Sequence, residues 1–186
     1  MKRLFVAIKI HPSPELLQVY YDLKMSLALE KIKWVEEDNF HLTLKFIGNT
    51  YTSQIDRIVE TMETVASGTS SFEMNIQNPG IFGSRYNPRV IWLGIESSPQ
   101  LIDLANSVLD GLDEAGFPRD RQNFIPHLTI GRIKYIRDKK NLRNTIEKHH
   151  GKHLQKVIVK EFYLYESILM REGPAYKVIR KFSLKE

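Results

Sequence analysis

The sequence predicts an α+β or α/β protein made of two related halves. A short phrase occurs twice, as Phe40-His41-Leu42-Thr43-Leu44 and as Pro126-His127-Leu128-Thr129-Ile130, and the second histidine follows the first by 86 positions. Two helix-start signals, Ser13-Pro14 and Ser98-Pro99, repeat at nearly the same offset. Strand patterns alternate with helix patterns along the whole chain. These observations indicate two lobes related by a pseudo-twofold axis.

Each element follows from a local pattern. A serine cap followed by proline predicts helices that begin at 13–14 and 98–99, and Gly116 ends the second of them. A further helix is predicted after each histidine phrase, from Ser53 to about Val65 and from Asp138 to about His149. The other predicted strands are Leu4–Ile10, Phe72–Gln77, Val90–Ile95, Val157–Leu164, Ser167–Met170 and Tyr176–Leu184.

Length and composition restrict the class of protein. A chain of 186 residues with 42% hydrophobic residues fits a single domain, residues 1–186, made of two interleaved lobes. No stretch is long enough to span a membrane, and the apolar start alternates into Lys9, so it is interpreted as a strand and not as a signal peptide. The absence of cysteine excludes disulfides, thiolate nucleophiles and zinc–thiolate sites. We expect a cytoplasmic monomer, and the net charge of +5 favours an anionic partner such as RNA.

The repeated phrase contains the candidate catalytic residues. In a strand, successive side chains point to opposite faces, so His41 and Thr43 share one face, and His127 and Thr129 do the same in the second copy. Two such strands could place two imidazoles and two hydroxyls around one groove, and this is sufficient for acid–base chemistry on an anion without a metal. The alternative is a pair of solvent-facing histidines on half-buried strands, but it does not explain why the helix starts repeat at the same offset.

The two phrases, extended to Phe40–Gly48 and Pro126–Arg132, resemble the signatures of the 2H phosphoesterase superfamily. More narrowly, they are similar to the RNA 2′,3′-cyclic phosphodiesterase family, also called the 2′-5′ RNA ligase family. Supporting phrases span nearly the whole chain, at Arg3–Ile8, Lys33–Val35, Pro88–Gly94 and Leu164–Ser167.

The resemblance implies an α+β bilobed fold, with an antiparallel sheet and helices in each lobe and the active-site groove between them. It implies opening of a 2′,3′-cyclic phosphate to a 2′-phosphate with no metal and no other cofactor. Carried over by position, His41 is the proton donor to the departing 3′ oxygen and His127 is the base that activates water, while Thr43 and Thr129 bind the phosphate oxygens. The same groups run in reverse would join a 5′-hydroxyl in a 2′-5′ linkage.

Arg132 matches a phosphate-binding arginine of the family, yet strict alternation places it on the face of Leu128 and Ile130. Glycine often marks a bulge that shifts this alternation by one residue. We therefore predict a bulge or break at Gly131-Arg132 that turns the guanidinium toward the groove; the alternative is a solvated surface arginine.

Further contacts to a nucleobase or to RNA are predicted from position alone. Phe46 stands five residues after His41 and could stack on a base, although a core position is the competing interpretation. Lys45 has the alternation of His41 and Thr43, so it is expected at the groove rim, with an ordinary solvated lysine as the alternative. The loop from Gly83 to Arg89 offers Arg85, Tyr86 and Arg89 as single-strand contacts, against a tolerant surface loop.

Three competing functions remain open from the sequence. The first is hydrolysis of RNA ends or small nucleotides that carry a cyclic phosphate. The second keeps the site but changes the substrate to an ADP-ribose cyclic phosphate or a 2′-5′ oligonucleotide, and the third is a non-catalytic RNA-binding module. His149, His150 and His153 lie close together, but no carboxylates stand beside them, so no metal site is expected there.

Overall fold

A computed structural model of the chain describes residues 1–119, 123–170 and 173–186. These residues form four α-helices: α1 (Pro14–Ser26), α2 (Ile55–Gly68), α3 (Pro99–Glu114) and α4 (Lys139–Glu147). They also form nine strands: β1 (Lys2–Lys9), β2 (Lys31–Trp34), β3 (His41–Thr50), β4 (Phe72–Gly83), β5 (Pro88–Ile95), β6 (His127–Tyr135), β7 (His153–Val159), β8 (Glu161–Leu169) and β9 (Pro174–Ser183).

The nine strands form one antiparallel sheet. Its order is β7-β4-β5-β6-β3-β1-β8-β9, and β2 pairs with the free edge of β6. The two histidine strands, β3 and β6, are neighbours at the middle of this order, where Leu42 lies opposite Leu128. Because these two leucines hold equivalent places in the repeated phrase, the pseudo-twofold axis passes between them. We call the half of the sheet with β3 the first lobe and the half with β6 the second lobe.

The helices cover one face of the sheet and leave the other as a groove. In the first lobe α2 packs against α3 and β9, and in the second lobe α1 packs against β7 and α4. The buried faces of the strands and helices form one continuous hydrophobic core, to which Leu42 and Leu128 both belong. The groove face carries the residues that alternate with this core, including both histidines.

The helix starts confirm the sequence prediction in detail. Ser13 Oγ accepts a hydrogen bond from the Leu16 backbone N–H, and Ser98 Oγ accepts one from Leu101, so each serine satisfies a free donor of the first helical turn. Gly116 follows the end of α3 with a φ of +89°, in the left-handed region that glycine adopts most easily.

Two strand predictions are wrong. The segment predicted as one strand, Val157–Leu164, is divided at Lys160 between β7 at one edge of the sheet and β8 near the other. Apolar residues continue across the break, so the pattern gives no sign of it. The predicted strand Ser167–Met170 is the end of β8, and the short strand β2 was not predicted. In the described residues, no helix is long and apolar enough to cross a membrane.

Candidate active site

Each histidine of the repeated phrase is held by the same backbone contact. His41 Nδ1 lies 2.6 Å from the carbonyl oxygen of Asn39, and His127 Nδ1 lies 2.7 Å from the carbonyl oxygen of Ile125, in both cases two residues earlier in the chain. A carbonyl oxygen only accepts hydrogen bonds, so Nδ1 must carry the hydrogen in both rings. Each Nε2 is therefore left to accept a proton when the ring is neutral and to donate one when it is charged.

The threonines lie beside the histidines of the opposite strand. β3 and β6 are paired at Leu42–Leu128. Extending this antiparallel register by one residue on either side sets His41 across from Thr129 and Thr43 across from His127. Directly opposed residues have Cβ atoms roughly 5 Å apart, and diagonal neighbours such as the two histidines are roughly 7–8 Å apart. The predicted gathering of two imidazoles and two hydroxyls on the groove face is thus present.

A bulge follows each threonine and reverses the alternation of the strand. On β6, Thr129 pairs with Trp92 and Gly131 with Ile91, so Ile130 is passed over. On β3, Thr43 pairs with Ala7 and Lys45 with Val6, so Leu44 is passed over at the equivalent position. The predicted irregularity near Gly131 is present, although the residue passed over is Ile130, one position before the predicted site.

The bulges bring Arg132 and Phe46 onto the groove face. Arg132 pairs with Val90, which shares a face of β5 with Trp92 and hence with Thr129. Phe46 pairs with Phe5 and is 43% exposed, so the interpretation of Phe46 as a core residue is wrong. The Arg3 guanidinium lies 4.9 Å from the centre of the Phe46 ring, at the distance of a cation–π contact.

Lys45 does not lie at the groove rim, and this prediction is wrong. The bulge at Leu44 turns its side chain to the helix-covered face, where it is only 4% exposed and Nζ donates to the carbonyl oxygen of Pro118 at 2.8 Å. The error came from assuming unbroken alternation through β3. At the equivalent place in β6 the chain has Gly131, where an added Cβ would lie 3.1 Å from Ile32 Cγ2.

His41 is half-buried between two aromatic rings. The centres of the Phe5 and Tyr176 rings each lie 5.1 Å from that of the imidazole, and Lys9 is its partner on β1. The pKa of His41 is lowered to about 4, chiefly by burial and to a smaller extent by the charges of Lys9 and Arg132, while the hydrogen bond to Asn39 opposes the change. In the free protein His41 is therefore neutral at pH 7.

Tyr176 and Lys9 were not predicted as parts of the site. Burial raises the pKa of the Tyr176 phenol, so its hydroxyl stays protonated and can donate a hydrogen bond. Burial lowers the pKa of Lys9, whose Nζ donates to the carbonyl oxygen of Asp38. Only the strand register brings these residues to His41, and the local sequence carries no signal of that register.

His127 has an aromatic neighbour as well. The Phe82 ring meets the imidazole edge-on, with centres 4.8 Å apart, and Phe82 also packs against Trp92. The Trp92 ring covers Gly80, where an added Cβ would lie 2.3 Å from the indole. The indole Nε1 is buried and has no hydrogen-bond partner in the described part of the chain.

The residues of the predicted basic loop lie in and beside the turn between β4 and β5. Arg85, Tyr86 and Arg89 are all exposed. Arg89 alternates with Val90, so its side chain leaves β5 on the face opposite the groove. The structure thus brings Arg132 to the histidines but does not bring Arg89 there.

The cluster of His149, His150 and His153 is separate from the two groove histidines. His149 is buried, and its Nδ1 lies 3.5 Å from Lys152 Nζ, while His153 Nε2 lies 3.1 Å from Asn75 Oδ1 on β4. Across residues 1–119, 123–170 and 173–186, no group of three or more His, Asp or Glu side chains could hold a metal ion.

The chain is similar to known proteins over nearly its whole length. It is 34% identical to the RNA 2′,3′-cyclic phosphodiesterase of Archaeoglobus fulgidus over 180 residues, which is 97% of this chain and 99% of the relative. The protein of the same name from Methanocaldococcus jannaschii is 31% identical over 97% of this chain and 99% of its own.

Solved structures share the fold. The structure of Escherichia coli LigT with 3′-AMP matches with a TM-score of 0.74 at 23% identity, over 100% of this chain and 99% of that one. The sequence model of the family described as "LigT like Phosphoesterase" matches twice, at residues 8–92 and 93–176. These matches confirm the resemblance and the α+β bilobed fold, and the chain belongs to the LigT-like phosphoesterase family.

Proposed function

We propose that this protein hydrolyses the 2′,3′-cyclic phosphate at the end of an RNA or of a small nucleotide and leaves a 2′-phosphate. The observation that carries the proposal is the symmetric pair of histidines beside two threonines, each histidine with Nδ1 bound to a backbone carbonyl and with no hydrogen bond at Nε2 among the described residues. The relatives named RNA 2′,3′-cyclic phosphodiesterase support the choice of substrate.

In the proposed reaction, His127 Nε2 takes a proton from water as the water oxygen bonds to phosphorus. The bond from phosphorus to the 3′ oxygen breaks on the opposite side, and His41 Nε2 gives its proton to that oxygen. The Thr43 and Thr129 hydroxyls donate hydrogen bonds to the non-bridging oxygens, and Arg132 adds a positive charge as they gain negative character. One histidine ends charged and the other neutral, and proton exchange with water restores both.

The scheme requires that His41 be protonated before the reaction begins. It is neutral in the free protein, so a bound phosphate anion must raise its pKa before it can act as the acid. The assignment of acid to His41 and base to His127 follows the family resemblance, because the pseudo-twofold arrangement is itself compatible with either assignment.

Base binding is proposed for the first lobe. An open cavity of about 590 Å³ is lined by Arg3, Phe46 and Leu169, among others, and its volume falls within the range of small-molecule sites. The exposed Phe46 ring could stack on a nucleobase there. Arg85 could reach the RNA from the turn between β4 and β5, whereas the orientation of Arg89 disfavours that role.

Hydrolysis of a nucleoside 2′,3′-cyclic monophosphate, with a chelator in excess, tests this proposal. We expect a 2′-phosphate product from the wild type and a loss of at least about 100-fold in kcat for His41→Ala and for His127→Ala. His153→Ala is the matched control, because it removes an exposed histidine from β7 at the far edge of the sheet. A 3′-phosphate product, or activity that the chelator abolishes, would refute the proposed mechanism.

Two further properties belong to the proposal. The same groups acting in reverse would join a 5′-hydroxyl to the cyclic end in a 2′-5′ linkage, and incubation of cyclic-ended RNA with a 5′-hydroxyl RNA tests this. We also propose that the enzyme acts as a monomer in the cytoplasm. Light scattering on the purified protein tests the first point, and fractionation of cells tests the second.

A further inference from the structure

β2 brings a second basic residue to the groove, one strand beyond Arg132. It pairs with the edge of β6 opposite β5, beyond the point where β3 meets that edge, and in that register Lys33 lies opposite Arg132. Cross-strand partners project from the same face of a sheet. Since Arg132 and its other partner, Val90, are on the groove face, Lys33 is on that face as well.

The Lys33 ammonium points along the groove toward the segment that contacts His41. A Cβ built on Gly173 would lie 3.3 Å from Lys33 Nζ, so the ammonium lies against the backbone that precedes β9. That backbone is fixed by the hydrogen bond from Asn39 Nδ2 to the Pro174 carbonyl oxygen, at 3.3 Å. It leads directly to Tyr176, whose ring contacts His41.

The side chain is available to a ligand. Lys33 is exposed, and within the described ranges of the chain it makes no ion pair or hydrogen bond with another side chain. A lysine ammonium is a compact charge that binds phosphate without demanding one geometry. The pseudo-equivalent of Arg132 in the first lobe is the uncharged Phe46, so the pair of neighbouring cations is confined to the second lobe.

We propose that Lys33 binds the internucleotide phosphate next to the terminal nucleotide, so that the enzyme favours RNA ends over free cyclic mononucleotides. This rests on the proposed function, in which Arg132 holds the cyclic phosphate. Neighbouring strands are about 4.8 Å apart, which is of the same order as the 3.4 Å rise per charge along a nucleic acid strand. Two cations on adjacent strands are thus close enough together to contact two successive phosphates of one RNA chain.

The test compares two substrates that share the reacting group. The kcat/KM is measured for adenosine 2′,3′-cyclic monophosphate and for an eight-nucleotide RNA that ends in the same cyclic adenosine. For Lys33→Met we expect kcat/KM on the RNA to fall by about 10- to 150-fold, the range for loss of one charged hydrogen bond, and on the mononucleotide by less than about twofold. Lys33→Arg should retain most of the activity on RNA.

Lys140→Met is the matched control, since it removes the same charge from α4 on the helix-covered face. Equal losses on both substrates would overturn the proposal, because Lys33 would then act on the reacting nucleotide or on the fold. Unchanged kcat/KM on both substrates would overturn it as well.

Binding separates a failure of this inference from a failure of the proposed function. Fluorescence anisotropy measures the affinity for the same RNA ending in a 2′-phosphate, at several salt concentrations. Removing one phosphate contact to a single strand reduces the slope of log K against log salt by roughly 0.7, and we expect this for Lys33→Met and not for Lys140→Met. If the wild type turns over neither substrate, the proposed activity fails while this slope still decides the role of Lys33. An unchanged slope rejects the inference.

Discussion

The titration of His41 offers the sharpest physical test of the site. The ring lies between Phe5 and Tyr176 and next to Lys9, and its pKa is lowered from 6.5 to about 4, chiefly by burial. This difference in pKa corresponds to a free-energy cost of roughly 3 kcal/mol for protonating the ring in the folded protein, relative to a free histidine. At pH 7, about one molecule in a thousand of the free protein then carries a proton on His41.

The sign of the effect on stability follows from linkage. The folded-state pKa is below the unfolded value, so the unfolded chain binds this proton at a higher pH than the folded protein does. The contribution of His41 to stability is therefore complete above about pH 6.5, decreases as the pH falls toward 4, and is constant below that. The free energy of unfolding of the wild type and of His41→Gln is measured by urea denaturation at a series of pH values. Between pH 6.5 and 4 we expect the wild type to lose up to roughly 3 kcal/mol more than the variant, which has no imidazole to titrate.

Ring nitrogen chemical shifts in long-range ¹H–¹⁵N NMR spectra measure the titration directly. His41→Gln identifies the signals, and the neutral ring should show hydrogen on Nδ1, as the contact with the Asn39 carbonyl requires. The midpoint should lie near 4 in the free protein and rise by at least about one pH unit when 2′-AMP binds, because the phosphate stabilises the charged ring. A midpoint near 6.5 without ligand, or one that the nucleotide leaves unchanged, would refute the reasoning.

Three stability predictions follow from the fold. Leu128→Ala removes a fully buried side chain at the pseudo-twofold axis and should reduce the free energy of unfolding by about 2–5 kcal/mol in urea denaturation. Ser98→Ala should cost about 0.5–2 kcal/mol by removing the cap of α3, while Ser98→Gly should cost only a few tenths; equal costs would exclude capping as the cause. Gly80→Ala places a Cβ 2.3 Å from the Trp92 ring and should lower Tm and shift the tryptophan fluorescence, whereas an unchanged spectrum would show that the ring does not cover Gly80.

Much of the architecture could be predicted because it depends on local chemistry. A serine cap with proline at the first helical position predicts α1 and α3, since both residues act within a single turn. The alternation of apolar and polar residues in the repeated phrase places the histidines and threonines on one face. The repetition at a constant offset indicates the pseudo-twofold axis before any contact is known.

The errors in side-chain direction have a common physical cause. Strand alternation predicts side-chain direction only until the first bulge, and Lys45 and Phe46 both follow the bulge at Leu44. In the second half Gly131 gave a local signal, and the predicted change of direction for Arg132 agrees with the register of β6. The first half has no glycine at that position, so nothing in the sequence marked its bulge.

Contacts that depend only on how the strands pair could not be predicted from the sequence. Lys9, Phe5 and Tyr176 lie near His41 because β1 pairs with β3 and because the segment before β9 approaches the groove. These are contacts between elements far apart in the chain. The position of Lys33 beside Arg132 depends on β2, a strand of four residues that was too short to be recognised.

The two bulges have a consequence for how a ligand can enter the groove. A perfectly twofold site would accept a phosphodiester equally well in two opposite directions, and each binding event would exchange the tasks of the two imidazoles. Here the equivalent positions after the bulges carry a guanidinium on one side and a phenyl ring on the other. A nucleotide has an anionic end and an aromatic end, so only one of its two directions matches. The repeated scaffold thereby acquires polarity from the side chains at these two positions, and the binding mode related by the pseudo-twofold axis is lost without any change in the backbone.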